Sequence, residues 1–287
     1  MSEYLLATHG LTKQFGHHKA VDHVDLHVKK GSIYGFIGRN GAGKTTFLKM
    51  ISGLSQPTSG EIEMFGYKNA QLKNVRSRIS CLIESPGLYG NMSAYDNLAV
   101  KCRLFGINDK RYIENILKTV GLSNVGKKKT KHFSLGMKQR LGIAQAIVGE
   151  PKVLIFDEPT AGLDAKERIR FRNVISSLAA DKIVILATHI VTDIAYVAKT
   201  VVLMNDGRII KTGTQEELCS DISDKVWEIT AQSDKVMDYM NRMRVSNAVS
   251  DGNKYTLRIV SDEYPENGAV SVPPTLEDVC IYYFGDM

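Results

Sequence analysis

A glycine-rich segment after a short apolar run most constrains how this chain of 287 residues can fold. Residues 38–45 read Gly-Arg-Asn-Gly-Ala-Gly-Lys-Thr, and the apolar residues 33–37 stand directly before them. The spacing G-x-x-x-x-G-K-T is typical of a loop between a strand and a helix, where glycines let backbone N–H groups close around phosphate oxygens. The segment therefore predicts a nucleoside-triphosphate site.

The predicted loop supplies both positive charge and a metal ligand. A helix that begins at residue 44 would place its N-terminal partial charge under the phosphates, next to Lys44, which should reach the β- and γ-phosphates. The hydroxyl of Thr45 is expected to bind a magnesium ion that keeps much of its water. A chance glycine-rich turn is the alternative, and the flanking strand and helix argue against it. The loop residues predicted to contact nucleotide are Gly38, Asn40, Gly41, Ala42, Gly43, Lys44, Thr45 and Thr46.

A second motif ends an apolar run with two acids. Residues 153–158 read Val-Leu-Ile-Phe-Asp-Glu, which is typical of a buried parallel strand whose C-terminal edge carries a ligand site. Asp157 is expected to hold magnesium, directly or through water, and Glu158 to orient the attacking water or take its proton. The alternative is a strand that merely ends in two solvated acids. The presence of the phosphate loop argues against this alternative.

The composition indicates a globular chain without a membrane span. Hydrophobic residues make up 43% and charged ones 24%, and no apolar stretch reaches the roughly 18 residues that a spanning helix requires. Residues 1–4 carry no targeting pattern, so we expect a cytoplasmic protein. The cysteines are far apart, without a C-x-x-C pair, and are predicted to be reduced thiols rather than zinc ligands or disulfides. They are Cys81, Cys102, Cys219 and Cys280.

The net charge of +6 and the pI near 9.0 are compatible with nucleic acid or an anionic membrane surface but require neither. The densest basic run, residues 127–132, has no aromatic residues for base stacking. We interpret it as a solvated loop and expect no nucleic-acid partner. A protein held beneath a membrane would also carry such charge.

Alternating strand and helix patterns predict an α/β fold with a mostly parallel sheet. The early strands favour an antiparallel edge, and residues 86–149 predict a helical subdomain with helices over 93–105, 109–120 and 134–148. Beyond residue 218, two strands around a helical segment predict a small α+β appendage, whose strands could pair with each other or with the core sheet. The predicted strands are 5–11, 21–28, 33–37, 60–66, 79–83, 153–156, 183–187, 201–204, 226–230 and 255–260.

Residues 133–140, Phe-Ser-Leu-Gly-Met-Lys-Gln-Arg, stand just ahead of the strand with the two acids. With the two motifs above they resemble the nucleotide-binding domain of an ABC transporter, over about residues 3–215. The family signature L-S-G-G-Q keeps its serine and second glycine here, whereas its first glycine and its glutamine are replaced. The resemblance implies that Ser134 and Gly136 contact the γ-phosphate bound by the opposite subunit. Simple helix capping by Ser134 is the alternative.

Three further residues match positions of the same family. Asp164 resembles the loop aspartate that organises the facing site, and His189 the switch histidine that contacts the γ-phosphate. Phe15 resembles the aromatic that stacks on adenine. Structural roles are the alternatives for His189 and Phe15.

Glu84 stands where the family usually has glutamine, in the loop that joins the magnesium to the membrane partner. The exchange keeps an oxygen ligand and adds a negative charge. A glutamate at this position resembles what is seen in transporters that expel bacitracin and lantibiotics. Residues 274–279 also resemble the closing segment of that branch. A solvent-facing loop acid is the alternative.

The resemblance implies an ATPase subunit that dimerises head to tail and sandwiches two ATP molecules with Mg²⁺. It would drive a separate transmembrane permease at the inner face of the membrane. Domains are predicted at residues 1–217, the ATPase, and 218–287, the appendage. A soluble ABC ATPase acting on ribosomes or DNA, or a nucleotide sensor without turnover, are the alternatives. The predicted catalytic residues are Glu158, His189 and Lys44, and the predicted metal ligands are Thr45, Glu84 and Asp157.

Overall fold

The computed structural model describes residues 4–266 and 268–285, so the first residues of the predicted ATPase domain and the last two of the appendage lie outside it. The strands are β1 (Tyr4–Phe15), β2 (His18–Lys29), β3 (Ile33–Ile37), β4 (Ser59–Met64), β5 (Tyr67–Lys68), β6 (Ile79–Leu82), β7 (Val153–Asp157), β8 (Ile183–Thr188), β9 (Thr200–Asn205), β10 (Arg208–Gly213), β11 (Val226–Gln232), β12 (Arg244–Asp251), β13 (Lys254–Val260) and β14 (Val270–Ser271). The helices are α1 (Lys44–Ile51), α2 (Ala94–Leu104), α3 (Lys110–Thr119), α4 (Leu135–Ala146), α5 (Ala165–Leu178), α6 (Val191–Ala195), α7 (Gln215–Ser220), α8 (Val236–Arg242) and α9 (Leu276–Phe284).

The central sheet has the order β10-β9-β3-β8-β7-β6. Its pairs are parallel except for the antiparallel hairpin of β9 and β10. The strands β3, β7 and β8 are apolar along almost their whole length and fully buried, because both faces of a parallel sheet are covered. The register places Ile37 opposite Thr188 and Asp157 opposite Ala187. The carboxyl ends of three strands therefore meet at one edge, and the predicted parallel α/β core is confirmed.

The predicted antiparallel edge forms a separate sheet of order β2-β1-β4-β5. Its long strands β1 and β2 pair along 12 residues each. Alternate residues of β2 are buried, as expected for a sheet that packs one face on a core. The hairpin between them brings residue 15 beside residue 18, at the rim of the site.

The predicted helical subdomain consists of α2, α3 and α4. Each helix begins at a side-chain cap, in which Ser93, Asp109 or Ser134 accepts a hydrogen bond from a backbone N–H of the first turn. Helix α3 buries Ile113, Ile116 and Leu117, at the spacing that predicted it. The basic run at residues 127–132 is exposed except for Thr130, in agreement with a solvated loop.

The appendage has its own sheet of order β12-β13-β11-β14, so its strands pair with each other and not with the core sheet. Helix α9 returns to the core and contacts α6 and α7. The predicted boundary between residues 217 and 218 lies inside α7, and we propose that the appendage begins after this helix. The sequence patterns did not predict β5, β10, β12, β14 or α7.

Among residues 4–266 and 268–285, no helix has both the length and the hydrophobicity needed to cross a membrane. The four cysteines are free thiols, as predicted.

Candidate nucleotide site

The phosphate loop connects β3 to α1, in the order that the motif predicted. Gly43 is the N-cap of α1 and has a left-handed backbone, with φ of 99°. Gly41 also has a positive φ, of 86°. Side chains other than glycine rarely adopt this conformation, so the two glycines let the loop turn its N–H groups inward. The start of α1 is thereby directed at the space above the loop.

The hairpin of β9 and β10 supports the loop from behind. The N–H of Gly207 donates to the carbonyl of Ala42 at 3.0 Å, and a Cβ added to Gly38 would lie 2.1 Å from the carbonyl oxygen of Met204. The sequence motifs did not predict this support. The signal that could have found it is the Asp206–Gly207 pair, because Asp-Gly between two strands is typical of a tight hairpin turn.

Lys44 contacts the backbone of the loop and also lines the cleft in front of it. Its side chain is buried, and Nζ donates to the carbonyl of Gly38 at 2.6 Å and to that of Arg39 at 3.1 Å. Burial lowers the pKa of the ammonium group, against the opposing influence of Glu158 and Asp157. Lys44 therefore stabilises the loop backbone and brings a positive charge to the predicted phosphate position.

Thr45 and Asp157 come together although they lie 112 residues apart, with Thr45 Oγ1 donating to Asp157 Oδ2 at 2.6 Å. The other carboxylate oxygen, Asp157 Oδ1, is buried and has no hydrogen-bond partner within the described residues. Burial raises the pKa of Asp157, and the hydrogen bond from Thr45 opposes this. Hydroxyl and carboxylate oxygens are the ligands that Mg²⁺ prefers, and the unpaired Oδ1 fits a metal ion with its water. The pair can hold magnesium.

Glu158 and His189 form the second meeting of distant residues. The Nδ1 atom of His189 lies 2.9 Å from Oε2 of Glu158, and the backbone N–H of His189 donates to Oε1 at 3.0 Å. Thr188 Oγ1 also donates to Oε2, at 3.1 Å. Glu158 has a left-handed backbone with φ of 47°, a conformation that residues with side chains adopt rarely and that is enriched at functional sites. The end of β8 thus holds the Glu158 carboxylate in one orientation.

A cleft of about 380 Å³ opens between these groups and the hairpin of β1 and β2. Phe15 forms its rim with a ring that is 55% exposed, as a stacking surface requires. His18 and Ala20 of β2 also line the cleft and were not predicted. Only the register of the hairpin brings His18 beside Phe15. The lining residues are Phe15, His18, Ala20, Asn40, Gly41, Ala42, Gly43, Lys44, Thr45, Thr46 and Glu158.

Four predicted nucleotide contacts are not among the residues that line this cleft: Gly38, Ser134, Gly136 and Asp164. Gly38 packs instead against the backbone of Met204. Ser134 caps α4 by accepting from the N–H of Met137 at 3.2 Å. Asp164 caps α5 by accepting from the N–H of Glu167 at 2.8 Å. Both side chains therefore have a structural role as helix caps. Their contact with nucleotide stays a prediction.

Glu84 lies at the surface beside α1. Its side chain is 70% exposed, and Oε1 lies 2.7 Å from Nζ of Lys49. The hydrogen bond and the charge of Lys49 lower the pKa of this carboxyl. Its backbone has a positive φ of 67°. The structure thus identifies a cationic partner for the residue that replaces glutamine, and its contact with magnesium stays a prediction.

The chain is similar to several known proteins. The sequence profile described as "ABC transporter" matches residues 21–161. The chain is 43% identical over 212 residues to the bacitracin transport ATP-binding protein BcrA of Bacillus licheniformis, covering 72% of this chain and 69% of the relative. It is 38% identical to the lantibiotic transport ATP-binding protein SrtF of Streptococcus pyogenes, covering 72% and 89%. The solved structure of cbiO1 from Clostridium perfringens, part of the ABC transporter complex cbiONQ, superposes with a TM-score of 0.68 at 26% identity, covering 77% and 92%.

Proposed function

The chain belongs to the ABC transporter family, and from this membership we propose that it is the ATPase subunit that powers export of a peptide antibiotic through a separate membrane permease. The observation that supports its chemistry best is that the phosphate loop, Asp157, Glu158 and His189 meet at one sheet edge. Phosphoryl transfer needs this combination of phosphate ligands, metal ligands and a group that positions water.

The residues of the site have different roles in ATP hydrolysis. Lys44 and the N–H groups of the phosphate loop bind the phosphates and offset their charge. Magnesium, held by Thr45 and Asp157, would neutralise charge on the phosphate oxygens. Glu158 orients the attacking water or accepts its proton, and His189 keeps the Glu158 carboxylate in place while presenting its ring toward the γ-phosphate. Phe15 stacks on the adenine.

We further propose that two copies associate head to tail around two ATP molecules. Ser134, Gly136 and Asp164 lie outside the cleft of their own chain, so a second copy is needed for them to contact the nucleotide bound by the first. ATP bound between the copies favours the closed dimer, and hydrolysis releases it. Closure would drive the permease, which holds the chain at the inner face of the membrane.

The substrate class rests on the relatives and on Glu84. Two relatives are named as bacitracin and lantibiotic transport ATP-binding proteins, and the replacement of glutamine by Glu84 agrees with that branch. Glu84 carries a negative charge that Lys49 partly offsets. We propose that this pair forms part of the connection between the ATP site and the permease.

The first test is purification of the tagged full-length chain from detergent-solubilised membranes. A membrane protein that co-purifies, and whose presence changes ATP turnover, would support the transporter assignment. Ribosomes or DNA in its place would overturn it. The second test measures survival of cells that carry the chain and the co-purifying permease, with bacitracin and a lantibiotic as probes. If the chain and the permease protect cells and Glu158→Gln abolishes this protection, antibiotic export is supported. Equal survival of cells with and without the two proteins overturns that substrate class.

A further inference from the structure

Two segments that the proposed function places against a partner's ATP touch each other within one chain. They are residues 134–136, called here the serine segment, and residues 161–164, called the aspartate segment. A Cβ added to Gly162 would lie 3.0 Å from Cδ2 of Leu135, so the Leu135 side chain packs on the backbone of the aspartate segment. Leu135 stands where the family signature has a glycine. The contact therefore arises from a position at which this chain departs from that signature.

Glu167, on the first turn of α5, provides a second link. Its N–H donates to Oδ1 of Asp164 at 2.8 Å, which fixes the residue to the end of the aspartate segment. Its side chain is only 16% exposed. A Cβ added to Gly136 would lie 2.7 Å from Oε2 and 2.9 Å from Cγ of Glu167. The carboxylate therefore lies directly against the backbone of the serine segment.

Two arginines hold this carboxylate. Arg140 of α4 places Nε 3.1 Å from Oε2 of Glu167, and Arg170 of α5 places Nη1 2.6 Å from Oε1. Arg140 also donates to the carbonyl of Gly121 at 3.0 Å, which anchors α4 to the end of α3. Neither Arg140 Nε nor Glu167 Oε2 has an aligned hydrogen-bond partner in the described part of the chain. Their contact is therefore electrostatic, and its strength depends on the charge of Glu167.

We propose that Glu167 is a positioning residue, which holds the serine and aspartate segments at a fixed separation so that both engage a partner's ATP as one unit. The inference rests on the proposed ATP-sandwich dimer. Glu167 does not line the cleft of its own chain, so it acts on closure of the dimer and not on binding of ATP to a single copy. Because both segments are already held in place, dimer closure does not have to order them, and less entropy is lost when the dimer closes.

The decisive variant is Glu167→Gln, which keeps the size of the side chain and removes its charge. It is made in the full-length chain with Glu158→Gln, so that ATP-bound dimers persist. We expect ATP-driven dimerisation to weaken about tenfold, while a fluorescent ATP analogue binds the dilute monomer as before. Glu217→Gln is the matched control, because Glu217 occupies the same position of α7 after its cap Thr214, and its carboxylate accepts from the N–H of Thr214 at 2.8 Å. Glu167→Asp, which retains the charge, should recover part of the dimerisation.

Steady-state kinetics without the Glu158 change supply the second readout. We expect Glu167→Gln to raise KM for ATP more than it lowers kcat. Its melting temperature should fall modestly, because Arg140 loses a charged partner, while the dilute monomer still binds the ATP analogue. Leu135→Ala removes the independent contact with Gly162 and should weaken dimerisation in the same direction. Dimerisation of Glu167→Gln equal to the control, or a parallel loss of monomer ATP binding and thermal stability, would overturn the inference alone. A Glu158→Gln parent that never dimerises with ATP would overturn the sandwich dimer, and the inference with it.

Discussion

Asp157 and Glu158 are neighbours in sequence, yet their side chains have different surroundings and are suited to different chemistry. Asp157 is buried, hydrogen-bonded to Thr45, and leaves one oxygen for a metal ion. Glu158 is partly exposed at the cleft and is held by Thr188 and His189. Because alternate residues of a strand point to opposite sides, and because the backbone turns to a positive φ at Glu158, the two carboxylates separate. Their separation permits one acid to bind metal and the other to handle water.

For Glu158 we expect the change to glutamine to preserve ATP binding and slow hydrolysis by about 10²–10⁴-fold, the contribution of a positioned acid–base group. Glutamine keeps the shape of the side chain but cannot accept the proton of water. The ATP-bound dimer should then accumulate, which size-exclusion chromatography with ATP and Mg²⁺ measures. Lys44→Ala in the same background is the control that should prevent the dimer. Turnover at the wild-type rate together with a monomeric profile would contradict the assigned role.

The raised pKa of Asp157 predicts how the stability of the protein depends on pH. A carboxyl whose pKa is higher in the folded state binds its proton more tightly there, so stability falls as pH rises through the window between its ordinary and its raised pKa. At neutral pH the folded protein therefore carries the cost of a buried charge. Asp157→Asn should raise the melting temperature in EDTA at pH 7 by about 2–4 °C, although it removes Mg²⁺-dependent turnover. Thermal melts should show this gain shrinking as the pH falls through the raised pKa, and vanishing below about pH 4. A lower melting temperature at pH 7 would contradict the assignment.

For Glu84 we expect exchange to glutamine to affect coupling more than folding. The Lys49–Glu84 pair is exposed, and such pairs contribute little to stability. Glu84→Gln should therefore leave the melting temperature and ATP binding nearly unchanged, but alter how the permease stimulates ATP turnover. The measurement compares ATPase rates of the purified complex with and without substrate. Lys49→Met is the partner variant and should change the same response. Identical behaviour of both variants and wild type would show that the pair has no role in coupling.

At the scale of elements, the site depends on how one hairpin supports the phosphate loop. The hairpin of β9 and β10 reaches the loop through Gly207, and Arg208 donates to Asp22 of β2 at 2.9 Å. Hydrogen bonds from Lys19, His23 and Arg208 hold the pKa of Asp22 well below its usual range. The loop is thus confined between β2 and the hairpin. Short segments such as β5 and β14, with two residues each, lack enough residues to show a strand pattern in sequence.

The confinement of the loop predicts opposite behaviour for two of its glycines. A Cβ on Gly38 would lie 2.1 Å from the backbone oxygen of Met204, whereas one on Gly41 would meet no atom within 4 Å. Gly38→Ala should therefore displace the loop, lowering stability by about 1–3 kcal/mol and weakening ATP binding strongly. Gly41→Ala, which has only the strain of its positive φ, is the control and should retain more binding. Calorimetric titration with ATP measures both, and equal losses would contradict the packing argument.

At the scale of the whole molecule, a buried ionic network joins α9 to the sheet of the appendage. Asp278 is fully buried, accepts from Arg258 Nε at 2.9 Å and from Ser246 Oγ at 2.6 Å, and also caps α9 with Thr275. Helix α9 then contacts α6 and α7 of the core. One carboxylate therefore links strands β12 and β13 of the appendage to the helix that connects it to the ATPase core.

Removal of this carboxylate should loosen the appendage before the core. Breaking a buried ion pair costs about 3–5 kcal/mol, because the remaining charge is left without its partner. Asp278→Asn should therefore speed amide exchange in α9 and β12, while α1 and β3 stay protected and the chain still binds ATP. Asp262→Asn is the control, since Asp262 pairs with Lys225 at the surface. Hydrogen exchange that rises equally throughout the chain would contradict a local role for Asp278.

The sequence by itself determined the parts of this protein that depend on local pattern. The phosphate loop, the strand ending in Asp157, the helices of residues 86–149 and the family were all predictable, because spacing and hydrophobic periodicity operate over a few residues. Only the tertiary structure decided that Thr45 meets Asp157, that Glu158 meets His189, and that the hairpin supports the loop. These contacts depend on the register of parallel strands far apart in the chain and on close packing between sheets, which no local pattern specifies.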